Sequence, residues 1–163
     1  MKIDKVESLK EITINKIEER GVELGQIADL VMMIQADYEP NLTKEICLKN
    51  IDAVLGKRET IHAVLTGIAL DEIADKKGLP EPLQSIIEGD DGLYGIDEII
   101  PLSIVNIYGT IGLTNYGYLD KEKKGILKKL DNSNSQINTF LDDIVAAIAA
   151  AAASRIAHAD DYS

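Results

Sequence analysis

Apolar positions recur at helical spacing along most of the chain. Ile3, Val6, Leu9, Ile14 and Ile17 predict a first helix over residues 3–20, with Gly21 as its stop. Leu24, Ile27, Ala28, Val31 and Ile34 form the stripe of a second, ended by Pro40-Asn41. Thr43 suits the cap of a third, with Ile46, Cys47, Ile51, Val54 and Leu55 facing inward and Gly56 as a break. A fourth spans Arg58 to Lys77 with Ile61, Val64, Leu65, Ile68 and Ile73 inward. Gly78, Pro80 and Pro82 make a turn, a short helix follows to Glu88, and Gly89-Asp90-Asp91-Gly92 is a loop. Leu93 to Leu113 is strongly apolar and β-branched, so one long helix and a buried strand pair both fit. Helix is preferred for the first half, with Pro101 as a kink or a start. A basic amphipathic helix is predicted over Asp120–Asp131, a polar loop over Asn132–Gln136, and a last helix over Asn138–His158 before a fraying tail at Asp160–Ser163.

With no convincing strand, no internal repeat and no linker, the pattern gives an all-α fold, one domain over residues 1–163. Its centre is the Ala-rich C-terminal helix, surrounded by about five or more others. Composition agrees. Of 163 residues, 45% are hydrophobic but only 4% aromatic, so the core must be built from Ile, Leu, Val and Ala. Small and aliphatic residues suit close helix-on-helix packing.

Charge narrows the function. A net charge of −11 argues against nucleic acid, whose phosphates need a basic surface, and against broad docking to anionic lipid. Cations are compatible partners. The single cysteine, Cys47, excludes an internal disulfide and fits a reducing, cytoplasmic setting. The charged N-terminal stretch carries no signal-like apolar core, and no run of about 18 apolar residues predicts a membrane span, which leaves at most peripheral membrane contact.

Candidate chemistry concentrates in acids that open apolar segments. Asp142 and Asp143 precede ten residues, Ile144 to Ala153, without one polar side chain. A helix apolar all round belongs in the centre of a fold, and a buried carboxylate must find a partner or take up a proton. The ordinary alternatives are a first-turn position favoured by the helix dipole or a Lys or Arg partner. Asp97-Glu98 stands in the same relation to Ile99–Val105. Were the two segments to pack side by side, their carboxylates would converge and repel unless a cation sat among them. Oxygen donors without Cys or His suit Mg²⁺ or Mn²⁺ rather than zinc; His62 and His158 read as structural. Asp120 and Lys123 lie in a lysine-rich stretch that reads first as a solvated face, and second as a further acid beside a phosphate-neutralising lysine.

Three segments, Gly-Ile-Asp-Glu at 95–98, Tyr-Leu-Asp-Lys-Glu-Lys-Lys at 118–124 and Phe-Leu-Asp-Asp-Ile-Val-Ala-Ala at 140–147, occur in that order. Together they resemble the phosphatidylglycerophosphatase A family, and within it the soluble low temperature requirement C-like branch. The branch pattern extends to Lys57-Arg58-Glu59 and to residues 63–71. The resemblance implies an all-helical fold and Mg²⁺-dependent removal of the terminal phosphate from phosphatidylglycerophosphate. It places the family's acidic motifs on Asp97 and Glu98, on Asp120 with Lys123, and on Asp142, Asp143 and Ala146. The family arginine falls where Tyr116 and Gly117 stand, the proline after its lysine is Lys124, and no early Gly-Thr-x-Gly-Ser motif occurs.

The expectation is therefore phosphomonoester hydrolysis on a phosphorylated lipid head group or a small phosphomonoester. Glu98, Asp142 and Asp143 hold the metal, Asp97 and Asp120 act beside it, and Lys123 with Lys57 or Arg58 meets the phosphate. Two other classes fit the same residues: a binding protein that keeps the cation or phosphate site without chemistry, and a helical interaction protein. Surplus aliphatic residues such as Val31, Met32 and Met33 leave room for a homo-oligomer.

Overall fold

The structure, a computed structural model, describes residues 3–159, with side chains from residue 7 onward. Ile3 and Val6 therefore lie outside the described side chains, and the tail Asp160–Ser163 lies outside the described residues. The helices are α1 (Ile3–Glu19), α2 (Leu24–Gln35), α3 (Lys44–Leu55), α4 (Arg58–Asp75), α5 (Leu83–Glu88), α6 (Ile96–Val105), α7 (Gly109–Glu122), α8 (Ile126–Asp131) and α9 (Leu141–Ala159). A 3-10 turn, Asn106–Tyr108, joins α6 to α7, and no strand occurs among the described residues.

α9 is the axis of the fold. Every residue from Leu141 to Ser154 is buried, and so is Ile156. Helices α2, α3, α4, α6, α7 and α8 pack directly on it. The alanine run explains how so many helices fit around one: side chains of one carbon let neighbouring backbones come close. The tightest approach is to α4. A Cβ on Gly67 would lie 2.2 Å from Ile144 Cδ1 and 3.2 Å from Phe140 Cβ, so any side chain here displaces the packing of α9.

Several expectations are corrected. Ile46 and Ile73, expected inward, are exposed. The segment 93–113 is helical in both halves, and the strand alternative falls; Pro101 sits inside α6. The single helix expected over Asp120–Asp131 is two. α7 ends at Lys123, whose φ of 44° is left-handed, and Gly125 has φ 56° before α8 begins. The last helix starts at Leu141 rather than Asn138. Finally, Ile96–Glu122 is 27 residues of helical chain apolar enough, by length and composition, to cross a membrane. A search for an uninterrupted apolar run misses it because Asp97, Glu98 and Asn106 intervene. Ile96, Ile99, Ile107, Ile111 and Leu113 leave its outer face apolar and exposed.

Candidate functional site

The approach to α9 is held from four directions. Arg20 at the end of α1 bonds Asp75 Oδ2 at 2.6 Å and also donates to the Ile137 carbonyl. Asp75 Oδ1 accepts from Ile137 N at 2.7 Å. Asn138 Nδ2 donates to Leu130 O at 3.0 Å, and Thr139 Oγ1 to Ile87 O at 2.6 Å. Each of these bonds reaches a distant segment, and together they fix where the helix begins.

The first turn of α9 is capped from outside. Asp71, fully buried on α4, accepts from Phe140 N (3.1 Å) through Oδ1 and from Leu141 N (3.0 Å) through Oδ2. Those amides would otherwise be orphans of the helix start. Burial pushes the Asp71 carboxyl up to about 7; the two amides and Arg20 oppose the shift, and Asp142 adds to it.

With the helix start so fixed, Asp142 and Asp143 emerge on the side of α9 facing the end of α7. Lys123, at the left-handed C-cap of α7, turns its ammonium onto them. Its Nζ lies 2.7 Å from Asp142 Oδ2, 3.0 Å from Asp120 Oδ1 and 3.3 Å from Asp143 Oδ1. Asp142 and Asp143 are 4% and 3% exposed, so these are buried charges that need the pairing. Burial works against the charge on Lys123, but Asp142, Asp143 and Asp120 outweigh it and hold the ammonium well above its usual range. Burial drives both α9 carboxyls upward. Asp143 is raised further by Asp142 beside it and by a hydrogen bond shared with Asp120.

Two more acids extend the cluster. Asp97, in the first turn of α6, is nearly buried. Its carboxyl is raised by burial first, then by Asp90 and Glu98. Asp90, left-handed at φ 47° in the loop before α6, feels Lys123, Asp131 and Asp120. Its charge also bears on Asp97 and on Asp142. Glu98 is exposed in the same turn as Asp97. Beside Asp142 opens a polar cleft of about 360 Å³, edged by Asp90, Asp131, Asn138 and Thr139.

The sequence-predicted residues thus divide. Asp120, Lys123, Asp142 and Asp143 come together in direct contact, while Asp97 and Glu98 border them at longer range. Lys57 and Arg58 do not join them. Lys57 Nζ lies 5.5 Å over the ring of Tyr108, whose carbonyl accepts from Ser154 Oγ. Ser154 is eleven residues beyond Asp143, roughly 16 Å along the helix axis. Arg58 opens α4, whose cap to α9 comes from Asp71, thirteen residues on, so it too lies about 20 Å from the α9 N-terminus. Reasoning from the sequence missed Asp71 and Asp90. Asp71 looks like any acid near a helix end, because its partners are 69 and 70 residues away. Asp90 had a visible sign only in belonging to a Gly-Asp-Asp-Gly loop.

Among the described residues, no three acidic, histidine or cysteine side chains form a metal-binding set by themselves. The ammonium of Lys123 takes the central place instead. The donor chemistry nonetheless fits a hard cation. Asp120, Asp142 and Asp143 bring three negative charges against the one positive charge of Lys123, a deficit that a divalent ion or added protons can close.

The sequence model of phosphatidylglycerophosphatase A matches residues 13–158. The uncharacterised Bacillus subtilis protein YpjQ is 61% identical over 158 residues, which cover 97% of this chain and 89% of that protein. The crystal structure of YpjQ superposes with a TM-score of 0.93 at 60% identity, covering 96% of this chain and 98% of the other. That of the low temperature requirement C protein from Listeria monocytogenes gives 0.91 at 56% identity, covering 94% and 97%.

Proposed function

The chain belongs to the phosphatidylglycerophosphatase A family, and from that premise we propose that it is a Mg²⁺-dependent phosphatase of phosphatidylglycerophosphate or a closely related lipid phosphomonoester. The observation that carries this reading is the meeting of Asp120, Asp142 and Asp143 on one ammonium at the start of the central helix. Three acids from two helices, two of them buried, are costly to assemble and give a fold nothing that one ion pair would not. As a cation and phosphate site they have a use.

Asp142 and Asp143 would hold the ion, with Asp120 and, from α6, Glu98 completing its surroundings; Mn²⁺ satisfies the same oxygen donors. When bound, the cation supplies neutralisation of phosphoryl charge and orientation of water. Lys123 would release the carboxylates and turn its ammonium to a phosphoryl oxygen, a point charge on a flexible stem suited to that movement. Asp97, whose carboxyl is raised by burial and by Asp90 and Glu98, would act as the general base. The amides at the start of α9 are already taken by Asp71, so the phosphate relies on side chains.

A lipid substrate is supported by the apolar outer face of α6 and α7, whose ends carry Asp97 and Asp120. The buried thiol of Cys47 suits a reducing compartment, and we take the cytoplasm as the place of action. The test is phosphate release from phosphatidylglycerophosphate in micelles and from a soluble phosphomonoester, with and without Mg²⁺. Release from the lipid alone supports the specific reading, release from both supports a general phosphomonoesterase, and release from neither contradicts it.

A further inference from the structure

The polar cleft of about 360 Å³ beside Asp142 falls in the size range of small-molecule sites, roughly 300–1,000 Å³. The buried part of its lining is tied down by bonds within the protein. Gln136 Nε2 donates to Arg20 O at 2.8 Å and to Asn138 Oδ1 at 2.7 Å. Asn138 Nδ2 and Thr139 Oγ1 are spent on the Leu130 and Ile87 carbonyls. The exposed part is different. Asp131, the last residue of α8, and Asn134, in the loop after it, both line the cleft and are open to water. Among the described residues, neither side chain has a hydrogen-bond or ion-pair partner. A preformed cleft that reaches Asp142 thus carries, at its open side, an acceptor and an amide that the fold does not use.

The lining also says what fits. Asp75, Glu88, Asp90, Asp131 and Asp142 face it against Lys77, which is paired with Glu88. A second anionic group is repelled there. Of the lining residues, only Leu130 and Ile137 are apolar, so an alkyl or aryl group gains little by leaving water. A neutral alcohol with several hydroxyls suits these walls, because each hydroxyl both donates to a carboxylate and accepts from an amide or a serine.

Resting on the phosphatase reading above, we propose that this cleft holds the alcohol part of the substrate, a polyol, and that Asp131 and Asn134 are the residues that select it. Asp142 joins the two halves of the site: it lines the cleft, and its Oδ2 lies 2.7 Å from the Lys123 ammonium that would meet the phosphate. The carboxylate of Asp131 accepts from one hydroxyl of the polyol, and the amide of Asn134 donates to another. Any lipid attached to the polyol stays outside the cleft.

The experiment compares wild type with Asp131→Ala and Asn134→Ala. Both side chains are exposed, so both variants should fold and melt as wild type does. Calorimetry in the presence of Mg²⁺ measures affinity for inorganic phosphate, glycerol 3-phosphate, ethyl phosphate and phosphoethanolamine. Wild type is expected to bind glycerol 3-phosphate on the order of tenfold more tightly than ethyl phosphate, the range for a hydrogen bond to a charged group. Asp131→Ala should lose most of that preference and Asn134→Ala part of it, with affinity for inorganic phosphate within about twofold of wild type in both. Turnover of phosphatidylglycerophosphate in micelles and of free glycerol 3-phosphate separates the two sources of the polyol. A higher KM in Asp131→Ala at similar kcat, for whichever of them is hydrolysed, supports the inference. Equal wild-type affinity for glycerol 3-phosphate and ethyl phosphate overturns the inference alone, and so does a preference that survives in both variants. Tightest binding of phosphoethanolamine overturns it in favour of a cationic alcohol. The predicted binding preference without phosphate release from any substrate overturns the phosphatase reading and leaves the polyol site standing. A wild type that binds none of the four compounds overturns both.

Discussion

Lys123 Nζ lies 2.7 Å from Asp142 Oδ2, joining the C-cap of α7 to the first turn of the central helix. The pair is only partly open to water, and Asp142 is almost wholly enclosed. Removing the cation would leave Asp142 and Asp143 buried together without compensation, a loss on the order of 3–5 kcal/mol before proton uptake relieves it. Lys123→Met is thus expected to lower the melting temperature in the absence of metal and to abolish turnover. Added Mg²⁺ should then stabilise the variant more than the wild type, because the ion no longer competes with an ammonium for the carboxylates. Melting curves at rising Mg²⁺ check both statements, and an unshifted variant in either condition would count against them.

The cap that Asp71 places on α9 predicts a pH dependence. Its carboxyl titrates at about 7 in the fold, against 3.8 for an ordinary Asp. The folded chain therefore holds this proton more tightly than the unfolded chain does. Stability from this group is fully present below about pH 4 and is lost as pH rises towards 7. The span corresponds to roughly 4 kcal/mol at most. Arg20 opposes the shift and Asp142 adds to it. Denaturant unfolding between pH 4 and pH 8 should show wild-type stability falling more steeply than that of Asp71→Asn. Equal slopes would mean that Asp71 stays charged throughout.

Gly67 is where α4 comes closest to α9. Ile144 is fully enclosed, and its Cδ1 and the nearby Phe140 Cβ would have to shift to admit a new Cβ. Gly67→Ala should therefore cost about 1–3 kcal/mol by overpacking, offset by no more than about 1 kcal/mol of helix propensity. Adding Ile144→Val removes the atom that a new Cβ meets, so the double variant should regain part of the loss. Strict additivity of the two substitutions would show that this contact is not what the glycine serves.

Lys57 and Arg58 stand at the other end of α9 from the acids. Lys57→Ala should lose the stacking of its ammonium on Tyr108, worth about 0.5–1 kcal/mol. Both Lys57→Ala and Arg58→Ala should leave kcat and KM within twofold of wild type. A tenfold loss in either would mean that the phosphate binds elsewhere than at Lys123.

The central helix and its two aspartates were legible in the sequence because the signal is local. Ten apolar residues from Ile144 to Ala153, most of them alanine, have no other stable place than a helix inside a fold, and the acids before them stand out by contrast. Asp120 and Lys123 stood out weakly in a lysine-rich stretch, and the order of the family motifs strengthened that reading. The β-branched stretch from Ile99 to Gly112 invites strand as well as helix, and packing on α9 settles it as helix in both halves. The break after α7 was hidden because a lysine, not a glycine, adopts the left-handed cap, with Gly125 the only nearby sign. Arg20, Asp71 and Asp75 act on partners more than fifty residues away, and no spacing along the chain reveals such pairs. Lys57 and Arg58 lie at the far end of α9 for the same reason: a nearby motif says nothing about which end of a helix a residue will meet.

The most direct test of the central claim is phosphate release from phosphatidylglycerophosphate by purified protein, with and without Mg²⁺, beside Asp143→Asn. Asp143 is 3% exposed and sits within 3.3 Å of the Lys123 ammonium, so the amide keeps its shape and removes its charge. Mg²⁺-dependent release by wild type, reduced at least a hundredfold in Asp143→Asn, is the predicted result, in line with the loss of several kcal/mol of transition-state stabilisation when a metal-bound acid is neutralised. Full turnover and an unchanged Mg²⁺ response in the variant would contradict the assignment of the site to the start of α9.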